Sequence, residues 1–186
     1  PDDQAVTPVF FVGFPRSGTT LMEQILAAHP DVITTAEKSP LQHVRQSLAR
    51  RFGKERPFPD FLDELSPKHL QEARDLFWQD AERLVDLAPH SVLIDKLPLN
   101  IVDLGFANLL FPDAKVVVAL RDPRDVCLSC FMQDFGASDA MANFLDIKTT
   151  DRAYSLVMGL WGHYKEVLTL PFMEYRYEDL VEDFHH

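Results

Sequence analysis

Cysteine is almost missing from this chain: Cys127 and Cys130 are the only two in 186 residues, so no disulfide framework holds it together. Their C-x-x-C spacing admits a redox pair. No Gly, Pro or Trp lies between them, however, and the stretch reads as helix, which favours buried thiols packing a helix face. A reducing, cytoplasmic compartment is the expectation. No apolar run approaches the ~20 residues of a spanning helix, and no signal peptide is visible. Neither an internal repeat nor a low-complexity tract is present. Basic residues are outnumbered, 18 against 29 acidic ones, for a formal net charge of −11. That balance argues against a general nucleic-acid or anionic-membrane surface. Any anionic ligand must therefore be met by a local concentration of cations. The chain also lacks an initiator Met and stops at His186 within a helical pattern, as expected of a piece of a longer protein.

What is present reads as one globular domain over residues 1–186, with 46% hydrophobic and 25% charged residues. Short β-branched or aromatic runs alternate with helical patterns. This predicts a three-layer α/β/α fold with a central, mainly parallel sheet. Strands are predicted over 9–12, 32–34, 92–94, 115–120 and 172–175. Helices are predicted over 19–28, 40–52, 67–88, 102–110, 124–134 and 152–168, and a further one opens at "YEDL". In the third helix Leu70, Ala73, Phe77, Ala81, Leu84 and Ala88 recur at three- and four-residue steps, the mark of a core stripe. "GKERPFPDFLDELSP" reads as a Pro-rich surface connection. "GASDAMANFLDIKTT" reads as a long irregular segment, either a mobile loop or a lid over a substrate.

The most informative stretch is "VFFVGFPRSGTTLMEQILAAHPDV", residues 9–32. A strand ends in Gly13, and Gly18 opens a helix at Thr19 and Thr20. Glycines there allow backbone amides to turn inward at a helix N-terminus, whose dipole favours an anion. Ser17, Thr19 and Thr20 add hydroxyls, and Arg16 adds a fixed positive charge, at what reads as the exit of an edge strand. The alternative is a self-capped strand-to-helix turn, since Ser-Gly-Thr-Thr also suits helix initiation. Against the nucleoside-triphosphate pattern G-x-x-x-x-G-K-[ST] the stretch has Gly13, Gly18 and Thr20, with Thr19 where Lys belongs. A transferring group with less charge than a γ-phosphate, such as sulfuryl, needs less metal neutralisation.

"PRSGTT" followed by "HPDV", with "RDPRDVCLSCF" about a hundred residues on, resembles the sulfotransferases that use 3′-phosphoadenosine 5′-phosphosulfate (PAPS). The resemblance runs from Val9 to Leu180. It is strongest to tyrosylprotein sulfotransferases and to bacterial sulfotransferases fused to tetratricopeptide repeats. It implies a P-loop-like nucleotide-binding fold, PAPS as co-substrate, 3′-phosphoadenosine 5′-phosphate (PAP) as product, and no metal requirement. It implies that Arg16, Ser17, Gly18, Thr19 and Thr20 bind the 5′-phosphosulfate, and that Arg121 and Ser129 hold the 3′-phosphate. It places Lys96 of "DKLPLN" on the leaving oxygen and Tyr177 of "RYEDL" near the adenine. Alternatives from the residues themselves are a salt bridge of Arg121 with Asp122 or Asp125, a surface pair of Lys96 with Asp95, and a half-buried strand-end role for Tyr177. Arg124 reads as a surface pair.

Transfer to a hydroxyl requires a base. "DKLPLN" carries no histidine, and the resemblance assigns the base instead to Glu37 of "HPDVITTAEKSP", with His43 in reserve. A helix N-terminal charge is the alternative for Glu37. Glu37, Lys96 and Arg16 are thus the candidate catalytic residues, acting on a small-molecule or peptide acceptor that carries a hydroxyl or, as a second choice, an amine. Phe58 and Phe144 are candidates for its lining. A small-molecule kinase and a non-catalytic nucleotide-binding protein are the competing classes. Relatives usually continue beyond "YEDL" into a basic segment over the nucleotide, whereas this chain ends at "VEDFHH", an expected truncation at the C-terminus.

Overall fold

The structure is a computed structural model that describes residues 7–54, 56–133 and 141–182. Five parallel strands form one sheet: β1 (Val9–Gly13), β2 (Val32–Thr34), β3 (Val92–Lys96), β4 (Lys115–Leu120) and β5 (Phe172–Arg176), in the order β2-β3-β1-β4-β5. The helices are α1 (Thr19–Ala27), α2 (Pro40–Phe52), α3 (Pro67–Leu84), α4 (Leu104–Leu110), α5 (Pro123–Met132), α6 (Ile147–Val167) and α7 (Tyr177–Glu182). The α/β reading holds, and each predicted strand is found. One expectation is corrected: β1 is the central strand, not an edge, because β3 and β4 flank it on either side.

Strand alternation explains the layers. Phe10 and Val12 face a core built with Leu41 and Val44 of α2, Phe77 of α3, Phe106 of α4 and Trp161 of α6. Phe11 faces the other way, toward Ile94, Ala119 and the Met22 and Leu26 side chains of α1. Side chains on successive strand residues point to opposite faces, so "FFV" buries apolar groups in two layers at once.

Helix ends differ from the sequence reading for local reasons. The backbone of Val85 turns extended (φ −143°), which stops α3 at Leu84 and leaves Ala88, the last residue of the predicted stripe, outside the helix. Within that stripe Ala73, Phe77 and Ala81 are buried, while Leu84 is exposed. Asp146 caps α6 by accepting from the amides of Lys148 and Thr149, so this helix starts five residues before the predicted Arg152. The segment read as a loop or lid therefore contains a 3-10 turn (Met141–Phe144) and the first turn of α6; its residues 136–140 lie outside those described. Pro98–Asp103 forms a 3-10 segment before α4. Cys127 and Cys130 are free and buried on α5, as expected. Burial pushes the Cys130 thiol up to about 12, and it contacts the Pro15 carbonyl at 3.3 Å. Such a thiol is inert packing. Among the described residues no helix is long and apolar enough to cross a membrane.

The sheet also locates the site. α1, which follows β1, packs on one face, whereas α4, which follows β3, packs on the other. Between two adjacent parallel strands whose connections leave in opposite directions, a crevice opens at their C-terminal ends. Gly13 and Lys96 end the two strands that border it.

Candidate functional site

A cavity of about 900 Å³ occupies this crevice, with Arg16, Thr19, Glu37, Arg121, Phe144 and Tyr177 among its walls. The loop at its floor is shaped by two glycines. A Cβ on Gly13 would lie 2.8 Å from the Ala119 carbonyl oxygen, and one on Gly18 only 2.2 Å from the Tyr177 ring. Gly18 also takes a left-handed φ of 93°, and Arg16 one of 69°. Among the described residues no side chain makes a capping hydrogen bond at the start of α1, whose N-cap is Gly18, which weighs against the self-capped alternative. The N-terminus of the helix is left for an external acceptor.

The arginines converge beside this loop. Arg16 Nε donates to Ser129 Oγ at 3.0 Å, and Arg121 Nη1 donates to the Arg16 carbonyl at 3.1 Å. Arg121 lies over the Tyr177 ring at 4.6 Å, close enough for a cation–π contact. It approaches Asp125 only at 3.9 Å, and its buried Nε has no hydrogen-bond partner among the described residues. The salt-bridge reading is thus weak, and a smaller cleft of about 340 Å³ opens between Arg16, Arg121 and Ser129. Arg124 pairs with Asp122 at the surface, as expected. Thr19 and Thr20 reach the cavity wall. Ser17 does not: its amide donates to the Phe14 carbonyl, and its buried Oγ has no hydrogen-bond partner among the described residues.

Tyr177 is half-buried and follows β5 directly, as the strand-end reading expects, and it lines the cavity. Tyr175 Oη donates to the Gly18 carbonyl at 3.4 Å, and Glu178 accepts from the Asp122 amide at 2.7 Å. The β5–α7 corner thereby braces the phosphate-type loop and the Arg121 turn together.

Glu37 occupies a strained turn. Ala36 and Glu37 both have left-handed φ values, 46° and 69°, a conformation costing roughly 1–3 kcal/mol for each such residue. Two anchors hold it. On one side Thr35 N donates to the Ile94 carbonyl, Glu37 N to the Lys96 carbonyl, and Lys96 N to Thr35 Oγ1. On the other, Ser39 caps α2, and its hydroxyl donates to Asp95 Oδ2 at 3.0 Å and accepts from Asn100 Nδ2 at 2.8 Å. Lys96 Nζ then donates to Glu37 Oε1 at 2.7 Å.

Lys96 is therefore not paired to Asp95. Strand alternation sends the two to opposite faces, and Lys96 is 2% exposed, behind Glu37 and 2.9 Å from a second carboxylate, Glu23 Oε2. Sequence reasoning missed Glu23. The signal was available: an acid one helical turn after Thr19, on the face that α1 turns inward. His43 is turned away from the cavity, where it contacts Asp80 of α3, and is no longer a reserve base. Phe144 lines the cavity, whereas Phe58 packs into the core beside Phe61 and Phe106.

Burial pushes the Asp95 carboxyl up to about 7, against bonds from Leu41 and Ser39 that oppose the rise. A folded value above the unfolded one gives stability that is complete at low pH and lost as pH rises through about 7. The loss runs from the ordinary carboxylate value of 3.8 up to about 7 and levels off above it, so the thermal midpoint falls across that window by an amount worth roughly a few kcal/mol. Asp95→Asn flattens that fall in thermal unfolding; an unchanged slope assigns it to other groups.

Comparison with known proteins places this geometry. A family described as "Sulfotransferase family" matches residues 8–186. A protein of Aquifex aeolicus is 29% identical over 181 residues, covering 95% of this chain and 24% of its own length. Protein-tyrosine sulfotransferase 1 of Danio rerio is 33% identical over 121 residues, 62% of this chain and 33% of that protein. The chain thus spans about a quarter to a third of the length of these relatives. Two solved structures share the fold. A sulfotransferase from Alicyclobacillus acidocaldarius has a TM-score of 0.61 at 18% identity, over 96% of this chain and 76% of that one. A sulfotransferase domain from the curacin biosynthetic pathway has 0.59 at 19%, over 95% and 69%. With the match running from β1 through the cavity to α7, the chain belongs to the sulfotransferase family.

Proposed function

We propose that the cleft transfers a sulfuryl group from PAPS to a hydroxyl, or secondarily an amine, on a small-molecule or peptide acceptor. The observation that carries this reading is a division of labour within one cavity. Arg16, Arg121, Gly18 and the α1 N-terminus line the cavity together with Glu37, and the buried Lys96 backs Glu37 from behind. The donor groups fit an oxyanion: the buried Nε of Arg121 has no hydrogen-bond partner among the described residues, and the Gly13 and Gly18 cradle leaves no room for a Cβ. PAPS supplies the sulfuryl group on a phosphate leaving group.

In this reading Arg16, Thr19, Thr20 and the α1 N-terminus neutralise the phosphosulfate. Arg121 and Ser129 hold the 3′-phosphate, and Tyr177 stacks near the adenine. Remote binding at Arg121 orients the reacting end. Glu37 accepts the proton of the acceptor hydroxyl as its oxygen bonds to sulfur. The electron pair of the broken S–O bond passes to the departing phosphate, and Lys96 stabilises it.

The test is transfer of labelled sulfuryl from PAPS to tyrosine peptides and simple phenols in excess EDTA. Labelled product with release of PAP is expected. Phosphorylation from ATP that needs Mg²⁺ would assign the site to a kinase instead. Tight PAP binding with no product from any acceptor would assign it to a binding module. Arg121→Ala weakens PAP binding by about 10- to 100-fold in calorimetry, the loss of a charge-assisted pair worth roughly 1.5–3 kcal/mol. Unchanged PAP affinity contradicts that assignment.

A further inference from the structure

Two carboxylates share a single buried ammonium. Lys96 Nζ lies 2.7 Å from Glu37 and 2.9 Å from Glu23. The two acids are not equivalent. The Glu37 side chain is 53% exposed and lines the cavity, while that of Glu23 is 12% exposed. Glu23 Oε1 is buried with no hydrogen-bond partner among the described residues. Met22 and Leu26, its neighbours on α1, pack into an apolar layer with Phe11 and Ile94.

A structural ion pair needs one partner of each sign; the second acid is surplus. Burying a carboxylate with one oxygen unsatisfied is costly, and such a cost persists where the group has a task. The surplus has a use when Glu37 is neutralised. A protonated Glu37 carries no charge, and without a second acid the buried ammonium would then lack a counter-ion.

We infer that Glu23 is a positioning residue: the resident counter-ion that keeps the Lys96 ammonium in place while Glu37 exchanges between Lys96 and the acceptor hydroxyl. The inference rests on the proposed transfer reaction for its kinetic consequence, but not for its consequence at Lys96. Glu23 acts through Lys96 and touches no substrate. Because the Glu23 side chain is 12% exposed and that of Glu37 53%, removing Glu23 releases the lysine more than removing Glu37 does.

The experiment compares wild type, Glu23→Gln, Glu23→Asp and Glu37→Gln, each first checked for folding by circular dichroism. Lys96 is acetylated with an N-hydroxysuccinimide ester, and its modification is read by mass spectrometry of the Lys96 peptide. Glu23→Gln raises the modification rate about 10-fold, and Glu37→Gln raises it less. PAP affinity in Glu23→Gln stays within about threefold, while kcat falls at least about 10-fold. Glu23→Asp recovers part of both effects, which a general loss of stability does not predict. If Glu37→Gln exposes Lys96 as much as Glu23→Gln does, Glu37 is the holding partner and the inference is overturned. Folded Glu23→Gln with unaltered Lys96 reactivity overturns it equally. Should Glu23→Gln not fold, Glu23→Asp decides by the same comparison: Lys96 reactivity above that of wild type supports the inference, and a wild-type value overturns it. A wild type that transfers no sulfuryl group from PAPS overturns the transfer reading and the kinetic role with it. The labelling comparison still shows which acid holds Lys96.

Discussion

Glu37→Gln binds PAP as tightly as the unchanged protein and loses a factor of about 10²–10⁴ in kcat, the usual contribution of a positioned base. The substitution keeps the shape of the side chain, and its amide oxygen can still accept from Lys96 Nζ, now 2.7 Å from Glu37. The turn is fixed by main-chain bonds to Ile94 and Lys96, which the change does not touch. What disappears is the capacity to take a proton. Nucleotide binding by calorimetry and sulfuryl transfer by product assay separate the two effects. Normal turnover in this variant would remove Glu37 from the mechanism, and His43 could not replace it, because that ring is engaged with Asp80 on the far side of α2. Another acid or an acceptor that loses its proton unaided would then have to be sought.

Lys96→Ala loses about 10²–10³ in kcat, the typical effect of deleting one preorganised electrostatic donor. It also leaves Glu23 and Glu37 without the cation between them. Breaking a buried pair in this way typically costs about 3–5 kcal/mol of stability, so unfolding must be measured alongside turnover. Arg16→Ala provides the contrast. Its kcat loss is of the same order, but Arg16 is exposed on the loop, and its side chain donates to the Ser129 hydroxyl across the cleft. Its thermal midpoint accordingly moves little. A fall in kcat for Lys96→Ala that matches its unfolded fraction, with Arg16→Ala fully active, would make both residues structural.

Most of the fold was legible in the chain itself. "VFFVG", "VLIDK" and "KVVVAL" are short runs of strand formers set between helical periods, and each became a strand of the sheet. Helix starts were legible where a cap and proline coincide, as at Ser39-Pro40 and Ser66-Pro67. The Asp146 cap of α6 lacked the proline and was missed. The position of β1 at the centre of the sheet was not legible, since strand order depends on pairings between distant segments.

The candidate site divides along the same line. Sequence alone determined the anion-seeking loop, because glycine spacing, hydroxyls and the start of a helix are properties of neighbours along the chain. It also singled out Glu37, Lys96, Arg121 and Ser129 through family resemblance, without their contacts. Only the tertiary structure decided that Arg16 meets Ser129 from 113 residues away and that Lys96 meets Glu37 from 59. It alone turned His43 and Phe58 out of the cavity, buried Ser17 and Lys96, and set Glu23 beside that lysine. The physical reason is that backbone preference and periodicity are local, whereas the burial and pairing of a charge are set by whatever the packed layers bring against it.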